Sequence, residues 1–519
     1  MGTLKQDLLA QGMQLRETHI SNVFLTETTV YKVKKPVQFG FLDFSSLEAR
    51  KRYCEAEVQL NRRLAEHVYL GVRAITRDAQ DVHQIAKGAA ADGGGEVVDY
   101  AVEMRRLNDA DAADARLAAG QLDKAQLARI AERLAQFHAT ARADAETAHF
   151  GERSVIEQNV RENFEQTRDT APEFLSPEGI AAIERWQRGF LEREHARFDA
   201  RIKAGRIRDG HGDLRLEHCY LGADDSVQII DCIEFNDRFR YGDVCADVAF
   251  LAMDLSWHER PDLSESFLAS YARASGDYDL YSVVDFYESY RAYVRGKVAS
   301  LLAADASADE PTRERARGTA RKYYRLAEAC SREALDRPRL YAVGGVIASG
   351  KSTLAKQLAE ALDAPVLAAD LTRKQLAGLD PHTPWHDAAF SGHYGPEQTR
   401  AVYAELLRCV EVIVRSGRSA IIDASFRERA QREAARAQAV ALGCEFVFVE
   451  CVAPPEVCKQ RLRERARGPS TSDGRADIFD EFVRSYEPVT ELAAPEHIRI
   501  DTSMPADQLR AQLRSVAST

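Results

Sequence analysis

YAVGGVIASGKST, Tyr341 to Thr353, stands two thirds of the way along a chain of 519 residues. Tyr341, Ala342 and Val343 read as a short apolar strand. Gly345-Val346-Ile347-Ala348-Ser349-Gly350-Lys351-Ser352 then follows the pattern G-x-x-x-x-G-K-[ST] of a phosphate-binding loop. The spacing has a physical reason. Gly345 and Gly350 let the backbone curl until successive N–H groups face phosphate oxygens. The helix-like TLAKQLAEALDA behind them adds its positive N-terminal end. Lys351 reaches the outer phosphates, and the Ser352 hydroxyl is a Mg²⁺ ligand candidate. Gly345, Ser349, Gly350, Lys351, Ser352 and Thr353 are therefore the expected ATP-binding residues of this loop.

Downstream, Ala364–Ala369 reads as a second strand ending at Asp370, and Leu371-Thr372-Arg373-Lys374 opens a helix. Gly417–Asp423 holds a buried strand with Asp423 at its carboxyl end, where open α/β sheets bind ligands. Asp423 reads as the Walker-B-like carboxylate near Mg²⁺. Glu445–Val452 is a further strand. Glu456–Arg467 is a helix whose Arg461 and Arg465 share a face at i,i+4. Together these stretches resemble small P-loop kinases of the gluconate-kinase, shikimate-kinase and zeta-toxin type. That resemblance implies that Asp370 orients an acceptor hydroxyl and that Arg373 holds an anionic part of the substrate. It also implies that Arg461 and Arg465 belong to a lid, with Arg467 and the Gly468–Gly474 loop, closing over the transferring phosphate. His382, His386 and His393 are read as loop histidines within Leu379–Pro396, a candidate acceptor-specificity segment.

The length allows two to four domains. Apolar content of 45% and charged content of 29% are ordinary for a globular chain. No apolar run reaches the ~18 residues that span a membrane, and the N-terminus lacks a signal-peptide layout. The nine Cys lack C-x-x-C pairs, which points to reduced thiols and a cytoplasmic location. From Asp336 onward there are 24 Lys+Arg against 25 Asp+Glu, so most of the net charge of −11 lies in the front part. Neither part is basic, so no nucleic-acid partner is expected, and no membrane partner either. Oligomeric state is not readable.

Upstream of the loop, residues 18–35 alternate as a hairpin of strands, with Ile20-Ser21-Asn22 between the first two. Residues 46–66 have helical periodicity behind a Ser46 cap. Val72–Thr76 and Val97–Met104 are strand candidates around the flexible AKGAAADGGG. Residues 120–145 and 154–204 read as helices, 208–235 as loop, strand, turn and strand, and 241–335 as helices broken near Ala306–Pro311. Pro338 places a domain boundary at about 336.

His211-Gly212-Asp213-Leu214-Arg215-Leu216-Glu217-His218 resembles the H-G-D-x-x-x-x-N loop of the aminoglycoside phosphotransferase family. Ile229-Ile230-Asp231 resembles its metal-binding aspartate, Gly242-Asp243 with Asp247 its structural motif, and Leu134–His138 the helix behind its loop. The resemblance covers residues 15–335 and implies a kinase-like fold using ATP and Mg²⁺. It makes Asp213 the catalytic carboxylate and Asp231 a metal ligand. Phosphoryl transfer asks for a positioned base and for metal ions on the phosphates. A lysine of the third strand must also grip the nucleotide and pair with a helix Glu. Lys32 and Glu57 are the candidates; Lys34, on the same strand face, is the alternative to Lys32. His218 departs from the family's Asn at the second metal position, where a hard oxygen suits Mg²⁺ better. Glu234 is a compensating oxygen.

The fold class expected is mixed α/β and α+β. A two-lobed protein-kinase-like domain (1–335, N-lobe about 1–104, C-lobe about 105–335) precedes a P-loop NTPase domain (336–519) with a parallel sheet flanked by helices. The function expected is a bifunctional ATP- and Mg²⁺-dependent phosphotransferase acting on hydroxyls of small molecules. Two alternatives stand beside it. In one, residues 1–335 are a regulatory pseudokinase, as His218 would allow. In the other, the P-loop domain phosphorylates nucleotides or nucleic-acid ends.

Overall fold

The computed structural model describes residues 3–39, 42–87, 95–330, 337–379, 390–465, 474–505, 508–509, 512–513 and 516. They form two compact units, Met1–Glu259 with Tyr287–Ala327, and Arg260–Phe286 with Glu328–Thr519.

The first unit begins with a six-stranded antiparallel sheet. Its order is Gln14–Glu17, Ser21–Leu25, Thr29–Lys34, Glu96–Arg105, Tyr69–Arg77, His83–Ile85. Thr29–Lys34 is paired on both sides, with Lys32 opposite Val23 and Val102. The first turn is two residues earlier than the sequence suggests. It is Thr18–Ile20, closed by the Ser21 N–H on Thr18 Oγ1 at 2.9 Å, so Ser21 and Asn22 already lie in the strand. The helix Leu47–Asn61 starts at Ser46, whose hydroxyl accepts the Ala49 N–H at 3.1 Å, a cap contributing about 1 kcal/mol. Its Cys54 and Val58 pack with Tyr69, Val102 and Met104. That packing turns Glu57, on the same helix, toward the third strand.

Helices make up most of the rest: Lys124–Thr140, Arg153–Gln166, Pro177–Arg193, Val244–Trp257, Val284–Ala304 and Glu310–Ala329 among them. The break expected near 306–311 falls between the last two. Two small ribbons, Ile207–Asp209 with Tyr241–Asp243 and Cys219–Leu221 with Val227–Ile229, hold the loops 210–218 and 230–240 against these helices.

The second unit is a five-stranded parallel sheet in the order Val366–Ala368, Ala420–Asp423, Arg339–Gly344, Glu445–Val452, His497–Asp501. Helices Lys351–Leu362, Ala369–Leu376, Pro396–Arg415, Arg429–Leu442 and Pro455–Arg465 accompany it. The central strands are buried on both faces, which is why they read as continuous apolar runs. Tyr341, Val343, Leu354, Leu358, Ile421, Val449 and Ile500 form one core cluster.

This division differs from the expected 1–335 and 336–519. Residues 260–286 belong to the second unit because its own polar groups hold them. Arg418 donates to Glu265 at 2.7 Å and to Asp285 at 2.9 Å, and Tyr278 Oη donates to the Val366 carbonyl at 2.7 Å. The expected boundary near 336 and most of the Gly-rich segment 86–95 lie outside the described residues. No helix among the described residues is long and apolar enough to cross a membrane.

Candidate active sites

The first site is built where the sheet meets the loop 230–235. Lys32 Nζ lies 2.5 Å from Asp231 Oδ1 and 2.9 Å from Glu57 Oε1. Lys34 Nζ lies 2.6 Å from Glu57 Oε2 and also contacts Glu234. The two lysines thus share one glutamate but differ in surroundings. Lys34 and Glu57 are fully buried, whereas Asp231 has 42% of its side chain exposed. Burial opposes the charge on Lys32, yet Asp231 and Glu57 raise its pKa well above the ordinary value. Burial likewise opposes Glu57, and Lys32 and Lys34 hold it below its ordinary value. Glu234 does not stand free as a compensating oxygen ligand: it is buried against Lys34, and burial raises its pKa. Asp231 sits in the left-handed backbone region at φ +66°, a conformation Asp tolerates better than most residues. Its N–H donates to Tyr69 Oη at 3.2 Å.

The loop His211–His218 is fixed from behind. Asp247 accepts the His211 N–H at 2.6 Å and the Gly212 N–H at 2.8 Å, and His138 Nε2 lies 3.4 Å from it. His211 is fully buried; its Nε2–H donates to the Ile230 carbonyl at 2.9 Å while Nδ1 accepts the Asp213 N–H. Burial lowers its pKa to about 4. Arg63, beyond the helix Leu47–Asn61, donates to the carbonyls of Asp209 and Gly210, both at 3.0 Å.

Asp213 carries its carboxylate beside Arg215, with Arg215 Nη2 at 3.0 Å from Oδ2. Burial opposes its charge, but Arg215, with Arg295, holds its pKa well below the carboxylate range. His218 lies between the two aspartates. Its Nδ1 is 2.8 Å from the Asp213 carbonyl, so Nδ1 carries the proton and Nε2 presents its lone pair. Nε2 is 3.6 Å from Asp231 Oδ2 and accepts from Arg215 Nη2 at 3.3 Å.

The second site lies at the carboxyl ends of the parallel strands. Gly350 (φ +92°) and Gly345 (φ +137°) adopt backbone that side chains disfavour, and a Cβ on Gly345 would run into the Cys451 carbonyl. The helix beginning at Lys351 follows directly. Lys351 Nζ donates to the Val346 carbonyl at 2.8 Å. Burial lowers its pKa, against the pull of Asp423 and Asp370. Burial raises the Asp423 carboxyl, while Lys351 and a hydrogen bond from Ser352 oppose the rise. Ser349 Oγ is buried with no partner. Thr353 is exposed in the first helical turn.

Asp370 stands in the first turn of Ala369–Leu376, not at a strand end. Arg373 is buried; it donates to the His393 carbonyl at 2.7 Å, lies 4.6 Å from the Tyr394 ring, and leaves Nε unpartnered. Arg461 is docked, not free: it donates to Thr502 O at 2.8 Å, Thr502 Oγ1 at 3.1 Å and Ala348 O at 3.3 Å. Its guanidinium therefore braces the phosphate loop. Arg465 is half-buried and acts electrostatically on Lys351 and Asp423. Arg467, Gly468, His382 and His386 lie outside the described residues.

A family model described as "Phosphotransferase enzyme family" matches residues 24–288, more than half of the chain. The chain belongs to the phosphotransferase enzyme family. A model described as "AAA domain" matches residues 340–489, so the phosphotransferase carries a P-loop kinase domain behind its first domain. The Mycobacterium tuberculosis protein Rv2004c is 34% identical over 466 residues, 90% of this chain and 88% of that protein. A choline/ethanolamine kinase family protein from Mesorhizobium loti matches 61% of this chain and 92% of its own, at 9% identity and TM-score 0.35. A Chloroflexus aurantiacus protein described as a "putative kinase" matches 35% of this chain and 98% of its own, at 27% identity and TM-score 0.29.

Both sites of the phosphotransferase suit Mg²⁺ by their donors. Ser352 and Asp423 are hard oxygens, hydrogen-bonded to each other. In the first unit the open carboxylate of Asp231 faces His218 Nε2, which also accepts from Arg215 Nη2. No group of three or more His, Cys, Asp or Glu among the described residues forms a complete metal cage, and Mg²⁺ commonly uses one or two protein ligands plus phosphates. Sequence reasoning passed over Arg215, Arg63, Tyr69 and Thr502. Arg215 stands inside the quoted motif and was within reach. The other three act through backbone groups far away in sequence, which leaves no local pattern.

Proposed function

We propose that this phosphotransferase uses ATP and Mg²⁺ at two sites, each transferring the γ-phosphoryl group to a hydroxyl of a small molecule. One observation carries the reading for the first unit. Lys32 bridges Glu57 and Asp231, at 2.9 and 2.5 Å, so the cation that grips phosphates and the carboxylate that meets the metal share one point. Nucleotide and Mg²⁺ bring the phosphoryl group and neutralise the charge that develops on it. Lys32 holds the phosphates, Glu57 holds Lys32, and Asp213 orients the acceptor hydroxyl and takes its proton. Asp231 and His218 hold the metal. The Nδ1–H tautomer set by the Asp213 carbonyl leaves His218 able to do so, which favours a working site over a purely regulatory one. In the second unit Gly345, Gly350, the unpartnered Ser349 and Lys351 cradle the phosphates. Ser352 and Asp423 hold the metal, and Asp370, Arg373 and Arg465 face the acceptor.

ATP consumption by Asp213→Asn, Lys351→Ala and the double variant tests this. Each single variant is expected to remove the turnover of one acceptor class, and the double variant all of it. Turnover unchanged in Asp213→Asn but abolished in Lys351→Ala would leave the first unit a regulatory domain.

A further inference from the structure

Three helices of the first unit meet beside Asp213. Val244–Trp257 brings Asp254, which accepts the Leu216 N–H at 2.9 Å, and one turn later Trp257. Val284–Ala304 brings Arg295, and Glu310–Ala329 brings Tyr323. Trp257 and Tyr323 stack at 5.2 Å, with Lys322 Nζ 4.7 Å from the indole and the Arg295 guanidinium 5.9 Å from the Tyr323 ring. Two buried nitrogens here have no hydrogen-bond partner: Trp257 Nε1 and Arg295 Nε. Both are donors and cannot accept. A buried donor left unpaired costs free energy, so a pair of them around one ring calls for an acceptor-rich ligand.

The charges nearby point the same way. Arg215 is taken by Asp213 and Glu217, and Lys322 by Glu259 at 3.0 Å. Asp254 is buried and already accepts the Leu216 N–H, and the Arg295 guanidinium shares a hydrogen bond with Tyr323, which leaves Arg295 Nε open. We propose that the acceptor phosphorylated by the first unit is an anionic hydroxy compound, its carboxylate or phosphate held by Arg295 Nε and Trp257 Nε1 beside Asp213. An ammonium-bearing acceptor would meet donors and an arginine there. The proposal rests on Asp213 being the catalytic carboxylate.

Trp257 supplies its own probe. The full chain, in the Lys351→Ala background, is titrated with D-glycerate, glycerol 3-phosphate, glycerol and choline, following indole fluorescence and ATP consumption together. Trp257→Phe identifies the signal against Trp186 and Trp385. A change with one or both anions is expected, and the responding anion separates carboxylate from phosphate. That change should vanish in Trp257→Phe, weaken about tenfold or more in Arg295→Gln, and return in part in Arg295→Lys. Response or turnover that favours glycerol or choline, no response to either anion, or unchanged anion affinity in Arg295→Gln would overturn the proposal. Anion binding that survives without any Asp213-dependent ATP consumption would instead overturn the catalytic reading and leave the anion site standing.

Discussion

At Lys32 and Lys34 the strand alternation of period two puts both ammonium groups on one face, so sequence alone leaves the phosphate-gripping lysine open. The proposed function takes Lys32 as that lysine, because Glu234, 200 residues away, neutralises Lys34 in the interior and leaves Lys32 beside the open aspartate. The two lysines should fail differently. Lys34→Met strands the buried carboxylate of Glu234, leaves Glu57 to Lys32 alone, and is expected to cost about 3–5 kcal/mol, read as a lower urea midpoint; adding Glu234→Leu should restore part of it. Lys32→Met should cost less stability and mainly weaken nucleotide binding, measured with a fluorescent ATP analogue. Equal stability losses would void the distinction. His211 gives a prediction in pH. Its pKa falls from 6.5 unfolded to about 4 folded, so between those values the unfolded chain binds the extra proton. The contribution of His211 is complete above pH 6.5 and is lost toward pH 4, at about 1.4 kcal/mol per unit. His211→Gln should flatten the acid limb of the urea midpoint between pH 7 and 5; an unchanged limb would assign it to other groups.

At the scale of elements, the helix Val244–Trp257 organises the first site. Asp243 caps it, accepting the Cys245 N–H at 2.9 Å while gripping Arg201. Asp247 holds the loop backbone and Asp254 the Leu216 N–H. The sequence shows this only in part, because twelve of its fourteen residues are buried and no amphipathic period marks a working face. Asp247 was recognisable from its motif, whereas Asp254 and Trp257 belong to none. By contrast, Ser46, the phosphate loop and the parallel strands were legible, since capping, tight turns and double burial each leave a local signature. Asp247→Asn keeps the shape but replaces one accepting oxygen by an NH₂ facing an N–H. An unsatisfied buried pair of that kind costs about 1–3 kcal/mol, and the catalytic loop should loosen with it. The expected result is a fall in the kcat of the first unit larger than the change in KM for ATP. Unchanged kcat would mean that the loop keeps its shape without Asp247.

For the whole molecule, chain order and compact units do not coincide. The phosphotransferase family match runs to residue 288, yet residues 260–286 are packed into the P-loop unit. Nothing in composition or periodicity announces this, because Glu265, Tyr278 and Asp285 find partners more than 80 residues later in the chain. Arg418 is the centre of the attachment: its side chain is 15% exposed, and two carboxylates share it. Burial opposes its charge, and Asp285 and Glu265 hold its pKa well above the ordinary value, the mark of a guanidinium kept ionised by fixed partners. Arg418→Met would leave both carboxylates without their cation at a largely desolvated position. A loss of about 3 kcal/mol is expected, seen as a lower midpoint for the transition that, on the proposed function, ATP protects through Lys351. A fragment comprising 336–519 alone lacks Glu265, Tyr278 and Asp285 together, and should unfold at a lower midpoint still, whereas one comprising 260–519 should retain the full-length value. Equal midpoints for the two fragments would mean that residues 260–286 contribute nothing to the P-loop unit.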